Sequence, residues 1–303
     1  VIEKMDIKKQ VCKTVMDNGP SHVIFASNTS TMSITEIGKD CGAPDRVCGM
    51  HFFNPVPLMR CIEVIKSENT SEETFKTAME LAGTFPCLRG DRYIAPVLKD
   101  RPGFLVNRLN APVMIYLHWC FDEAKKRGIP WERLDADAGG KMPMPPCVLT
   151  DFTGIDTSYH IMNYYAETLS PDFKPGEVIT ELNNKGDLGE KTGKGFYDWT
   201  KGRDAIMAKV KQAEPSGIFD LNKVFAIMLN EGCRILKEGI ASGYKVIDDA
   251  NMAGMNAPGP FGAGKKNYEQ WAKVLEELAD KTGKDYFRPI DLMKSGEFTK
   301  MRK

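Results

Sequence analysis

Apolar positions along the first hundred residues follow two different periods. Residues 6–17 place apolar side chains at helical spacing and end at Asn18-Gly19-Pro20, where glycine can close a helix and proline cannot continue one. The apolar run at 22–26 predicts a buried strand. Two more strands are predicted at 47–53 and 61–65, separated by the turn Asn54-Pro55-Val56-Pro57. Residues 31–40 suit a short helix, and Thr70-Ser71-Glu72-Glu73 spells a capping box opening a helix that runs to about Gly83. Strands alternating with helices predict an α/β layered sheet as far as about residue 99.

The texture changes after Asp100-Arg101-Pro102-Gly103. Residues 104–127 predict one long amphipathic helix kinked at Pro112, residues 142–146 a proline-rich loop, and residues 151–169 a further helix. A polar linker is expected beyond Trp199, then a second helical block from about residue 219 to the end. Residues 106–146 and 221–260 share a layout: a long apolar helix, a glycine, a short aspartate-rich helix (Asp135 and Asp137; Asp248 and Asp249), then a proline-containing loop. This degenerate repeat suggests duplicated helical modules.

Composition narrows the class. The 303 residues contain 42% apolar and 27% charged side chains, ordinary for a soluble globular protein. Lys plus Arg and Asp plus Glu both number 41, so no global field draws the chain to nucleic acid or to a membrane surface. No apolar run approaches the ~20 residues that span a bilayer. Eight scattered cysteines without a C-x-x-C pair read as reduced thiols of a cytoplasmic protein. The first residue is Val1 and a helix is under way by Asp6, so either a segment is expected to precede it or the chain was cut.

The densest chemistry lies between Gly49 and Ile65. A strand ending at His51, a proline turn and a returning strand could bring Glu63 beside the imidazole, giving a base oriented by a carboxylate. The alternative is a strand-end histidine satisfied by backbone, with Glu63 solvated. Ser27-Asn28-Thr29-Ser30-Thr31 follows the first strand at a place where α/β sheets bind ligands; Ser30 or Thr31 could equally be a helix N-cap. Asn107 could be a core hydrogen bond or a ligand contact. Gly259 to Lys265 imitates a phosphate loop, but Lys266 stands where Ser or Thr is required and no apolar strand precedes it. Gly193-Lys194-Gly195 lacks a third glycine. The four histidines are dispersed, which excludes a histidine metal site, and no G-x-S-x-G elbow is present.

Ser27-Asn28-Thr29-Ser30, the segment from His51 to Glu63, Asp100 to Arg108 (D-R-P-G-F-L-V-N-R) and Lys191 to Tyr197 (K-T-G-K-G-F-Y), in this order, closely resemble the 3-hydroxyacyl-CoA dehydrogenase family. The resemblance covers residues 1 to about 200. It implies α/β plus all-α architecture: an incomplete Rossmann-like domain over 1–99, a helical substrate and dimerisation domain over 100–200, and a second helical C-terminal-type domain over 215–303. It implies NAD-dependent interconversion of 3-hydroxyacyl-CoA and 3-ketoacyl-CoA in fatty-acid β-oxidation. By the same resemblance His51 is the general base and Glu63 its partner, and Ser30 and Asn107 contact the substrate. Glu3, Lys8, Ser30, Asn54 and Lys191 line the nicotinamide end of NAD. A homodimer, and fusion to an enoyl-CoA hydratase, are further expectations. The competing possibility is a non-catalytic acyl-CoA-binding or dimerisation scaffold.

Three departures from the family pattern stand out. The family opens with a βαβ unit carrying G-x-G-x-x-G, whereas 21 residues precede the first strand here and one βαβ needs about 30. Leu88-Arg89-Gly90-Asp91-Arg92-Tyr93 looks inserted. Pro143-Met144-Pro145-Pro146 stands where the family usually has Pro-Met-Gly-Pro, and proline cannot take the positive φ open to glycine.

Overall fold

The computed structural model describes all 303 residues. They divide into two compact units: Val1–Asn110, Met228–Ala272 and Pro289–Lys303 in the first, Ala111–Ile227 and Lys273–Arg288 in the second. The helices beginning at Val106, Leu221 and Phe261 each give residues to both.

In the first unit α1 (Met5–Asn18) leads to β1 (Phe25–Ser27), α2 (Ile34–Gly38), β2 (Val47–Phe52), β3 (Cys61–Lys66), α3 (Glu72–Thr84) and β4 (Tyr93–Val97). The sheet order is β1-β2-β3-β4, with β1 parallel to β2, β2 antiparallel to β3, and β3 parallel to β4. Period-two alternation sorts the side chains. Cys48 and Met50 of β2 and Ile62 and Val64 of β3 meet Ala78 and Ala82 of α3 in one core. Gly49, His51, Cys61, Glu63 and Ile65 alternate with them and point to the opposite face. There Gly49 is obligatory, since a Cβ would come within 2.8 Å of Ile65.

Several elements differ from expectation. The first strand is only three residues long: Val23 N–H closes a turn on Pro20 O (2.9 Å) and pairing with β2 starts at Phe25. The cap of α2 is Ser33, which accepts from Glu36 N, so neither Ser30 nor Thr31 has that role. Ser71 caps α3 by accepting from Thr74 N (3.1 Å), while Thr70 donates its hydroxyl to Val47 O (2.6 Å). Strand β4 was not expected. Its Pro96 removes a ladder donor, which is tolerable because β4 is an edge strand.

The remaining helices are α4 (Val106–Lys126), α5 (Trp131–Ala136), α6 (Pro146–Thr153), α7 (Ile155–Thr168), α8 (Glu177–Lys185), α9 (Gly202–Gln212), α10 (Leu221–Glu238), α11 (Tyr244–Met255), α12 (Phe261–Thr282) and the short α13 (Asp291–Lys294). The expected helix over 151–169 is broken at Gly154, whose φ of 99° ends α6 and starts α7. The expected polar linker after Trp199 is largely α9, which buries Ile206 and Val210 one turn apart. No helix is long and apolar enough to cross a membrane.

In the second unit, buried aspartates organise the loops. Asp135 accepts from Cys147 N (2.7 Å) and Val148 N (3.2 Å) at the start of α6, and from Tyr197 Oη (2.8 Å). Burial pushes its pKa up to about 6. Asp151 accepts from Phe196 N, Tyr197 N and Trp199 Nε1. A Cβ on Gly195 would lie 2.0 Å from Asp151 Oδ1. Gly195 of K-T-G-K-G-F-Y thus lets the chain pass directly against a buried carboxylate.

Candidate active site

β1 and β2 run parallel, so Asn28–Ser30 and Phe53–Asn54 leave the sheet at the same edge, the carboxyl ends at which α/β sheets bind ligands. Asn28 Oδ1 accepts from Phe52 N (2.9 Å) and ties the two strand ends together. His51 and Glu63 are direct cross-strand partners of β2 and β3. Their side chains share a face, and His51 Nδ1 lies 2.7 Å from Glu63 Oε2. Both are buried, His51 at 4% and Glu63 at 0% relative exposure. Of the two readings left open by the sequence, the paired one is the observed geometry.

A buried carboxylate needs further donors, and the D-R-P-G-F motif supplies them. Gly103 (φ 79°) and Phe104 (φ 54°) both take positive φ immediately before α4. That turn aims the N–H groups of Leu105 and Val106 at Glu63 Oε1, 3.2 and 2.8 Å away. Backbone donors at the start of α4 thereby hold one carboxylate oxygen while the other faces the imidazole. Phe104 is bulky and costly in this conformation. Its ring packs beside His51 (centroids 5.8 Å apart), and Phe53 meets the imidazole edge-on at 4.7 Å. The motif was legible as a family mark; its mechanical role was not, since no propensity signals an aromatic residue at positive φ. Asp100 holds the preceding turn by accepting from Ser33 Oγ (2.6 Å) and Thr35 N (2.9 Å).

Asn107 sits half-buried in the first turn of α4. The next residue, Arg108, is 3% exposed and ion-paired to Glu231 and Glu238 of α10, with 2.8 Å to Glu238. Asn110 Nδ2 donates to Asn251 Oδ1 of α11 (2.9 Å). Sequence reading missed these ties, because nothing in residue spacing links positions more than a hundred apart. Packing of Gly254 on Phe53 is a further link: a Cβ there would lie 3.3 Å from the ring.

Glu3, Lys8 and Ser30 are brought together with Thr29. Lys8 Nζ lies 2.8 Å from Glu3 Oε2, and fully buried Thr29 donates its hydroxyl to Glu3 Oε1. The Ser30 backbone also reaches Glu3. Burial works to raise the pKa of Glu3, but Lys8, Thr29 and Ser30 outweigh it and hold the carboxyl below its usual range. Lys8 is only 6% exposed. Ser30 and Asn54 are exposed, and the Asn54–Pro55 peptide is cis. Lys191 belongs to the second unit, where its Nζ pairs with Asp156 at 2.5 Å. His118, also there, is a core residue: Nδ1 accepts from Gly176 N (3.1 Å), which leaves Nε2 to donate to Ser158 Oγ (2.9 Å). No group of His, Cys, Asp and Glu could hold a metal ion.

Known proteins resemble this chain in sequence and in fold. Residues 1–85 match the family profile "3-hydroxyacyl-CoA dehydrogenase, NAD binding domain", and residues 103–199 match "3-hydroxyacyl-CoA dehydrogenase, C-terminal domain". The fatty acid oxidation complex subunit alpha of Vibrio parahaemolyticus is 34% identical over 98% of this chain, which spans 43% of that protein's length. The crystal structure of (S)-3-hydroxybutyryl-CoA dehydrogenase from Ralstonia eutropha is 32% identical, with 65% of this chain and 68% of that chain covered and a TM-score of 0.58. The 3-hydroxybutyryl-CoA dehydrogenase of Escherichia coli shares the fold over 99% of this chain and 80% of its own, at TM-score 0.81 and 22% identity. Identity, coverage and the two matched profiles together lead to one conclusion: the chain belongs to the 3-hydroxyacyl-CoA dehydrogenase family.

Proposed function

We propose that the protein interconverts 3-hydroxyacyl-CoA and 3-ketoacyl-CoA with NAD, using His51 as the acid–base group. The observation that carries this reading is the buried His51–Glu63 pair, with Glu63 also held by Leu105 N and Val106 N. Glu63 fixes the tautomer with the proton on Nδ1, which leaves the Nε2 lone pair to take the proton of the 3-hydroxyl group. The imidazolium so formed is stabilised by the adjacent carboxylate, and the reverse reaction returns the proton to the keto oxygen. Phe53 and Phe104 keep water from the ring. Ser30 and Asn107 orient the substrate near its reacting carbon.

The donor set fits a nicotinamide ribose: the part-exposed Glu3 carboxylate and exposed Ser30 and Asn54, grouped at the carboxyl edge of parallel strands. When bound there, NAD supplies the hydride acceptor. Lys8 is too buried to offer much surface to a cofactor and acts by orienting Glu3. Lys191 is assigned to the same end of the cofactor on the family pattern alone.

The second helical block is read as a repeat of the C-terminal-type module. Gly128 and Gly239 take positive φ after α4 and α10. Asp135 and Asp248, each on the following short helix, accept backbone N–H groups at the starts of α6 and α12. Eight free cysteines fit a cytoplasmic protein. A homodimer and fusion to an enoyl-CoA hydratase remain part of the proposal. A scaffold would have no use for a buried base and carboxylate held by helix N–H groups. The test is absorbance at 340 nm with acetoacetyl-CoA and NADH on the full-length protein: steady decay is expected, and its absence sinks the enzymatic reading.

A further inference from the structure

We infer that Arg92 is a positioning residue, fastening the corner between β2 and β3 that ends beside His51 and carries Asn54. It lies in Leu88-Arg89-Gly90-Asp91-Arg92-Tyr93, the stretch that departs from the family pattern and to which the proposed reaction gives no role.

The corner cannot hold itself by burial. Asn54, Pro55, Val56 and Pro57 are all exposed, and its internal bonds are those of Leu58 N and Met59 N to Pro55 O (2.9 and 3.0 Å). Its other anchors come from Ala253 of α11, whose carbonyl accepts from Arg60 N (3.1 Å), and from the inserted stretch and the two residues before it. One terminal nitrogen of the Arg92 guanidinium donates to Val56 O (3.0 Å) and Met59 O (2.6 Å), and the other donates to Pro86 O (2.6 Å). Leu88 N donates to Pro57 O (2.9 Å), and Arg60 Nε donates to Asp91 O (2.7 Å). Arg92 Nε is buried without a partner, an unfavourable arrangement that leaves both terminal nitrogens on carbonyls. A planar fork is what bridges two chain segments in this way; a lysine ammonium offers one nitrogen and cannot reach all three carbonyls with the same geometry. Corner and base are adjacent, since Phe53, the first residue after β2, packs on the His51 ring at 4.7 Å. A shift of the corner therefore moves Asn54 and loosens the imidazole.

The role of Asn54 rests on the proposed dehydrogenase reading; the tethering does not. The experiment compares Arg92→Met and Arg92→Lys with the unsubstituted full-length protein in two measurements: NADH oxidation with acetoacetyl-CoA, and amide hydrogen exchange by mass spectrometry. Arg92→Met is expected to lower kcat/KM by roughly tenfold or more, with a rise in KM for NADH, as misplacement of a positioning group does. Exchange is expected to rise over residues 54–60 but not over β3, and Arg92→Lys is expected to recover part of both effects. Unchanged exchange over 54–60, or kcat/KM within twofold of the original, overturns the inference. So does failure of both variants to fold, which would make Arg92 a general stability residue. If the unsubstituted protein is itself inactive, the functional reading fails, and the exchange comparison alone decides the tethering.

Discussion

Glu63→Gln isolates the chemistry of the dyad from its packing. Glutamine has the size of glutamate, and its carbonyl oxygen can still accept from Leu105 N and Val106 N, now 3.2 and 2.8 Å from the carboxylate. Its amide nitrogen must then face His51 Nδ1 where a carboxylate oxygen stands at 2.7 Å. A donor in that place forces Nδ1 to accept, so the ring proton moves to Nε2 and the lone pair needed for the substrate proton is lost. The imidazolium also loses its neutralising charge. A carboxylate-to-amide change behind a general-base histidine lowers kcat by about 10⁴, or about 5.5 kcal/mol in the barrier at 1.36 kcal/mol per tenfold. Folding should change little, because an amide is cheaper to bury than a carboxylate and both helix N–H groups keep an acceptor. The assay is NADH oxidation with acetoacetyl-CoA by the full-length variant, with thermal unfolding as control. Activity within tenfold of the original in a folded variant would refute the reasoning.

Three further outcomes follow from the same structure. Gly195→Ala drives a methyl group to 2.0 Å from Asp151 Oδ1, and Asp151 cannot retreat while it holds three donors. A loss of about 2–4 kcal/mol in chemical denaturation is expected, and a loss below 0.5 kcal/mol contradicts it. His118 is buried, and burial, then Lys284, lowers its pKa from 6.5 to about 3. A depressed pKa gives stability that is complete above pH 6.5 and is lost as pH falls towards 3. Between pH 6.5 and 4.5 the loss reaches up to about 2.7 kcal/mol, two units at 1.36 kcal/mol each. His118→Gln should flatten that part of the stability profile, and an unchanged slope refutes the assignment. The 303 residues contain no G-x-G-x-x-G turn to hold a pyrophosphate, so by themselves they are expected to bind NAD feebly; micromolar affinity by calorimetry contradicts that.

What the sequence made legible was local. The apolar runs at 47–53 and 61–65 marked β2 and β3, and the proline turn between them set the register that pairs His51 with Glu63. β4 escaped notice because Arg89, Asp91 and Arg92 precede it and Pro96 interrupts it, which only an edge position excuses. α9 was hidden by its polar composition, having a narrow apolar stripe at Ile206 and Val210. The donors that hold Glu63 come from 42 and 43 residues away, through a turn with Phe104 at φ 54°. The Arg108–Glu231 pair spans 123 residues. Such contacts are fixed by tertiary packing, to which neither periodicity nor propensity responds.

The most direct test of the account is the protonation of the His51 ring itself. Nitrogen-15 NMR of the full-length protein at pH 8, with His51 assigned by loss of its signals in His51→Gln, distinguishes the two neutral tautomers. The geometry at Glu63 predicts a proton on Nδ1 and a bare Nε2; a proton found on Nε2 would contradict the mechanism at its first step.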